Sequence, residues 1–160
     1  MDLNSAVRKI EYWVILLEQD GEFVACMRGS DWSAGSTAFG DGEIGVFRAR
    51  DALEHLQDPI HTMREIHRCL APHGWLLSQT PSTDGRGAFQ DPTHVSFWNS
   101  NSFWYYTRAE QNRFMHCPVR FEASRVKGFF PSEWHQQHRI VYVKADLLKV
   151  AGRVPGGVAI

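Results

Sequence analysis

Hydrophobic positions fall into short runs whose spacing changes along the chain. Val7, Ile10, Val14 and Leu17 recur at helical intervals behind Asn4 or Ser5, either of which suits a helix cap. They predict a helix ending at the Asp20-Gly21 turn, although the overlapping run Tyr12 to Leu17 is aromatic and β-branched and leaves a strand open. Phe23 to Met27 reads as a short strand, and Gly29 to Gly42, rich in Gly, Ser and Asp, as a long loop. Ile44 to Ala49 is apolar enough for a buried strand. Asp58-Pro59 then places an N-cap ahead of the residue best tolerated at the first helical position. Ile60, Met63, Ile66, His67 and Leu70 form the apolar stripe of that helix, with Arg64, Glu65 and Arg68 facing water. Pro72, His73 and Gly74 end it, and Trp75 to Thr80 is a strand that stops at Pro81. Strand, helix and strand in this order predict a right-handed crossover between neighbouring parallel strands.

The stretch from Ser82 to Asn101 is polar, with Gly85, Gly87 and Pro92, yet it carries Phe89, Phe97 and Trp98. Loops this long in compact domains are usually functional or disordered, and the aromatics argue against disorder. Phe121 to Phe130 and His138 to Leu148 predict two strands joined by a Pro-Ser turn, a hairpin at the edge of a mixed sheet. The tail AGRVPGGVAI reads as loosely ordered.

Between Phe47 and Ser82 the chain presents, in order, Leu53-Glu54-His55, Asp58-Pro59, Arg68-Cys69-Leu70-Ala71-Pro72-His73-Gly74 and Pro81. This segment resembles class I S-adenosylmethionine-dependent methyltransferases (methyltransferase type 11-like), the broad group that includes ubiquinone-biosynthesis and many small-molecule methylases. Their pattern is a strand, a polar residue, Leu-Glu-His, an Asp-Pro helix start, a helix ending Arg-x-Leu-x-Pro-Gly-Gly, and a strand ending in Pro. His73 replaces the first glycine of that pair. The resemblance implies an α/β fold, a Rossmann-like class I methyltransferase sheet incomplete at the N-terminus, with a C-terminal antiparallel hairpin. A single methyltransferase-like domain is expected over 1–150, with 82–118 as an aromatic acceptor or lid insertion and 151–160 as a loose tail.

By the same resemblance, S-adenosylmethionine is the implied cofactor. Asp2 stands where an acidic residue accepts from the ribose hydroxyls, and Asp31 where one takes the adenine amino hydrogen. Trp32 would pack on the adenine ring, and Asp51 is a further cofactor-binding candidate. The family's Gly-rich cofactor turn is missing: no strand leading into it precedes Asp2, and Gly35, Gly40 and Gly42 follow no suitable strand and open no helix. The isolated chain is therefore expected to hold the cofactor weakly or not at all. Without that central strand two long sheet edges would stand unpaired. The remaining strands could close ranks, a second copy could complete the sheet, or the first 45 residues could rearrange. A rearranged N-terminal region in a homodimer is the expectation.

Methyl transfer from a sulfonium needs alignment of the acceptor and, for some acceptors, a base. His55, just past a strand end, and His94, in the loop QDPTHVSFW, are the candidate bases. Glu54, His55, Asp91 and His94 could supply oxygen and nitrogen ligands to a metal, but their spacing is not diagnostic and the expected site uses none. Phe97, Trp98 and Trp104, within a dense cluster reaching Tyr106, suit the wall of a pocket for a flat or glycosidic acceptor; core of a small subdomain is the alternative. Arg86 would serve an anionic acceptor.

Composition narrows the picture further. At 160 residues, 43% hydrophobic and 22% charged, the chain supports one packed core. A net charge of -1 from 17 basic and 18 acidic residues gives no footprint for nucleic acid or an anionic membrane. Cys26, Cys69 and Cys117 lack metal or redox spacing and read as reduced thiols of a cytoplasmic protein. The start has no secretory character, and the apolar run Trp13 to Leu17 is far shorter than the roughly 20 residues of a membrane span. The functional expectation is methyl transfer to a small-molecule or sugar-containing acceptor if the protein is active. The alternative is a truncated, non-catalytic binding or assembly module.

Overall fold

The Asp58 carboxylate accepts a 2.8 Å hydrogen bond from the His61 backbone N–H, and with Pro59 at the first position it starts helix α1, Pro59–Cys69. A computed structural model describes this helix within residues 39–150, apart from 116 and 118, together with the strands β1, Val14–Gln19, and β2, Glu22–Met27. Met63, Ile66 and Cys69 turn the apolar face of α1 into the core. The helix crosses between β3, Ile44–Arg50, and β4, Leu70–Pro81, which pair in parallel from Val46 opposite Trp75 to Arg50 opposite Gln79. That is the arrangement the strand, helix and strand pattern predicts.

The helix stops earlier than its sequence suggests. Leu70 is already extended and lies opposite Ile44, and Ala71, the residue before Pro72, is itself kept out of helical geometry, so the helix cannot resume. His73 then sits in the left-handed region at φ 63. The position thus has a backbone that glycine adopts freely and histidine only under strain. This is the place where the resemblance puts a glycine.

Six strands among the described residues form one mixed sheet in the order β2-β1-β3-β4-β6-β5, with β5 at Phe121–Phe129 and β6 at Tyr142–Lys149. β6 runs antiparallel to both β4 and β5, so the C-terminal hairpin is present. Its connection is not a Pro-Ser turn: Ser132 accepts from the His135 N–H to cap a short helix, Glu133–Gln137, and β6 begins at Tyr142 rather than His138.

The helix expected to reach Leu17 is replaced, over Val14 to Leu17, by β1. A continuous run of Val14, Ile15, Leu16 and Leu17 suits a strand flanked on both sides, and β1 pairs antiparallel with β2 and with β3. The earlier part of that expected helix, and the loose tail at 151–160, lie outside the described residues. The β1 and β2 ladder ends with Gln19 opposite Glu22. Because β1 covers the edge of β3 from Val46 to Arg50, the open edge that motivated a homodimer is already filled.

Phe47, Leu53, Met63, Ile66, Leu70, Leu76, Phe121 and Leu147 are completely buried in the core, joined by Trp98, Phe103 and Tyr106 from the long connection after β4. Arg68, expected to face water, instead ties α1 to the segment before β3. Its guanidinium donates to Glu65, to Asp41 at 2.7 Å and to the Phe39 carbonyl at 2.9 Å.

Candidate functional site

The carboxyl end of β3 runs into a sharp turn. Asp51 takes φ 48 while its N–H donates to the Gln79 carbonyl at 3.0 Å, and a single turn of tight helix, Leu53–His55, follows. Strained backbone of this sort is uncommon outside turns and functional sites. Leu53 anchors the turn in the core and draws Glu54 in with it, to 2% exposure. The Thr80 hydroxyl donates to Glu54 Oε2 at 2.5 Å, but Oε1 is buried without a hydrogen-bond partner. Burial pushes the Glu54 carboxyl up to about 7, against the Thr80 hydrogen bond that lowers it, and the nearby Asp51 charge adds to the rise.

Beside Glu54 lie both histidines singled out from the sequence. His55 Nε2 is 3.8 Å from Glu54 Oε1, and its Nδ1 donates to the Thr93 carbonyl at 3.1 Å. The His94 ring meets the His55 ring edge-on with centroids 4.7 Å apart, and its Nδ1 donates to the Ala88 carbonyl at 3.0 Å. Burial pushes His55 down to about 4, the Thr93 carbonyl partly opposing this and the His94 charge reinforcing it. At neutral pH His55 is an uncharged acceptor, and its low basicity makes it a weak general base. One donor atom each from Glu54, His55 and His94 lies within 4.8 Å of the others.

The loop carrying His94 is held by an Asx turn. Asp91 Oδ1 accepts from the Thr93 N–H at 2.8 Å and from its hydroxyl at 2.7 Å, and these bonds lower the Asp91 carboxyl below its ordinary range. The N–H groups of Val95 and Ser96 then donate to the Glu54 carbonyl, which fastens the loop to the turn. Ser96 Oγ donates to the Leu53 carbonyl at 2.7 Å and accepts from Trp98 Nε1 at 3.0 Å. The same few residues thus fix the histidine pair and the start of the aromatic segment.

That segment divides into core and rim. Trp98 is buried, stacked on Tyr106 and tilted against Phe103, whereas Phe97 is 51% exposed and stacks on Phe89. Phe97, Trp98, Tyr105, Tyr106, Ile60 and Met115 line most of an open apolar groove of about 280 Å³. Trp104 is not part of its wall; the Arg108 guanidinium covers the Trp104 ring at 3.8 Å. Arg86 is exposed and opens the short helix Gly87–Gln90, away from the groove.

The chain's alignment with known sequences decides its family: the profile of the methyltransferase domain family matches residues 4–138. The chain belongs to that family. No curated protein matches it significantly. Solved structures share the fold of this methyltransferase domain at low identity. A putative methyltransferase from Haloferax volcanii, in complex with the activator Trm112, is 13% identical at a TM-score of 0.57, over 83% of this chain and 64% of that one. The [4+2]-cyclase SpnF is 16% identical at 0.52, over 80% and 56%. A methyltransferase from Aquifex aeolicus is 10% identical at 0.51, over 91% and 61%. The chain therefore spans less than two thirds of the length of each. The fold is that of a class I S-adenosylmethionine-dependent methyltransferase, and SpnF is a reminder that this fold also serves other chemistry.

The described residues of this methyltransferase domain do not fit the cofactor in the family's manner. β1 runs antiparallel to β3, so its first residue, Val14, rather than its last, lies beside Arg50 at the carboxyl end where a Gly-rich turn would have to begin. Asp2, Asp31 and Trp32 lie outside the described residues. Asp51 is at the expected strand end with its side chain half exposed, hydrogen-bonded to the Tyr142 hydroxyl. Sequence reasoning placed the two histidines but gave Glu54 only an incidental role, and Thr80 and Ser96 none. The signal for Glu54 was present: a carboxylate inside a turn whose neighbours Leu53 and Leu56 are core residues has to be carried inward.

Proposed function

We propose that this chain forms the acceptor side of an S-adenosylmethionine-dependent methyltransferase acting on a small molecule. The observation that carries the reading is the Glu54–His55–His94 cluster at the carboxyl end of β3, three hydrogen-bond acceptors drawn together where α/β folds of this type bind ligands. Such a set favours an acceptor group that carries a proton, a hydroxyl or an amine. On this reading residues 82–118 are the acceptor-facing insertion, whose Phe97, Trp98 and Tyr105 offer flat apolar contact to a ring. Supporting it are the family match and the fold shared with the Aquifex aeolicus enzyme.

The antiparallel course of β1 favours a second reading, a binding or assembly module that retains the fold without the cofactor turn. The Trm112 complex of the Haloferax volcanii protein gives an example of a relative in fold that assembles with another chain. Calorimetric titration of the full chain with S-adenosylhomocysteine separates the two. Saturable heat, followed by methyl transfer to a hydroxylated aromatic acceptor, supports the enzyme. Absence of heat and of thermal shift at millimolar ligand refutes it for this chain and leaves the module.

A further inference from the structure

The sheet has two unlike faces. Phe47 on β3, Leu76 on β4, and Val143 and Leu147 on β6 turn into the core with α1 and the aromatic segment. Their neighbours in sequence turn the other way. From Val46 to Arg50, Trp75 to Gln79 and Tyr142 to Leu148, every residue of this second face is exposed or half-buried. Strand register lines them up in rows. Arg50 lies opposite Gln79, Gln79 opposite Lys144, and Lys144 opposite Lys127. One step toward the carboxyl end of β4, Tyr142 lies opposite Phe129, with ring centroids 6.2 Å apart. One step the other way, Asp146 lies opposite Arg125 and pairs with it at 3.5 Å. Arg50 is 4.0 Å from Asp51, but Lys127 and Lys144 pair with no described carboxylate. Like charges directly opposite each other in a ladder repel, and a bound anion would relieve that repulsion. Between Arg120 and Lys149 the chain carries six basic residues against three acidic ones, a separation that the whole-chain charge of -1 conceals.

We infer that this face binds single-stranded nucleic acid, with phosphates along the row of Arg50, Lys144 and Lys127 and bases against Tyr142 and Phe129. Neighbouring strands are about 4.8 Å apart, so the cation row spans roughly 14 Å across four strands. Residues two apart on one strand are about 7 Å apart, so the rings stand about one nucleotide's reach from the cations. A basic track beside a stacking surface is what an unpaired strand requires, since phosphates meet the charges and bases meet the rings. The aromatic surface continues past the row: the His135 ring is edge-on to Tyr142 at 5.6 Å, and Trp134 beside it is 54% exposed. A second copy of this chain would set like charge against like on this face. An acidic peptide would use the cations and leave the rings without partners. The assignment does not depend on methyl transfer by this chain.

The test is fluorescence anisotropy of a labelled oligothymidylate of about 12 nucleotides, within the usual range of single-strand site sizes, titrated with the full chain. Saturable binding is expected, and three phosphate contacts should make it weaken about 20-fold between about 50 and about 200 mM NaCl. Replacing both lysines, Lys127→Gln with Lys144→Gln, should lower the slope of log affinity against log salt by roughly 1.4. Phe129→Leu keeps an apolar side chain and removes the ring, so it should weaken binding by at least about five-fold with the salt slope unchanged. Arg113→Gln, in the segment after β4, should bind like the unmodified chain. Circular dichroism checks folding, and if Phe129→Leu fails to fold, competition by an oligoglutamate peptide decides whether the rings take part. The proposal is overturned if hundred-micromolar chain gives no anisotropy change at low salt, or if the lysine double variant keeps the parent affinity and slope. It is equally overturned if oligoglutamate displaces the label as well as unlabelled oligothymidylate does, charge for charge, which would make the face a docking site for an acidic protein.

Discussion

Replacement of His67 by glutamine should flatten the acid dependence of this domain's stability. His67 lies half-buried on α1, its ring edge-on to Phe121 at 5.1 Å, and burial pushes it down to about 4. The Lys149 charge acts in the same direction, while a hydrogen bond to the Arg120 backbone opposes it. In the unfolded chain an ordinary histidine takes up its proton near 6.5. The unfolded state therefore binds more protons than the folded state between those values, so stability falls as pH drops from about 6.5 to about 4 and is fully retained above 6.5. At about 1.4 kcal/mol per pH unit the full shift corresponds to roughly 3 kcal/mol, and partial solvent exposure reduces this to about 1–2 kcal/mol. A glutamine side chain here would stay neutral and could still donate to the Arg120 carbonyl. Urea unfolding at pH 4.5, 5.5, 6.5 and 7.5 measures the loss in each protein. His55, also depressed to about 4, is present in both and cancels in the comparison. A loss on acidification in His67→Gln equal to that of the unmodified chain, within a few tenths of a kcal/mol, would refute the reasoning.

Three further outcomes are expected. His73→Gly should stabilise the protein by about 0.5–1 kcal/mol in urea titration, since it relieves a left-handed histidine at a smaller cost in unfolded-chain entropy. Gly85→Ala should destabilise by about 1–3 kcal/mol, because the added methyl would lie 2.7 Å from the Val141 nitrogen and 2.8 Å from the Arg139 oxygen, both backbone atoms; an unchanged melting temperature would contradict this. Phe97→Ala, at an exposed rim position, should leave stability within about 1 kcal/mol of the parent while weakening the binding of an aromatic probe, followed by fluorescence.

Local signals made the centre of the fold legible. Asp58 and Pro59 start a helix by the chemistry of their own side chains, and β3, α1 and β4 follow with few alternatives. The place of the Leu-Glu-His turn was legible too, because it has to follow β3 and its apolar Leu53 fixes which neighbour goes inward. What could not be read was set by distant partners. Val14 to Leu17 satisfies helical spacing and strand composition equally, and only β2 and β3 on either side decide between them. Arg68 belongs on a wet helix face by pattern, yet Asp41 and the Phe39 carbonyl, far away in sequence, enclose it. The approach of His94 to Glu54 depends on hydrogen bonds from Val95 and Ser96 that no spacing announces.

The long separation between β4 and β6 has a kinetic consequence. The β5–β6 ladder can begin where Phe129 meets Tyr142, across a short connection, whereas the β4–β6 ladder must bring Trp75 to Leu148 across most of the C-terminal half. Loop-closure entropy makes the second event costlier by roughly 1.5 kcal/mol. A pre-formed hairpin should thus dock late onto β4, and the Asp51–Tyr142 contact, which spans that junction, would be among the last to form. Phi-value measurements at Phe129 and Leu147 would then report early and late contacts within one strand pair, and the mouth of the candidate site would assemble only as the transition state is passed.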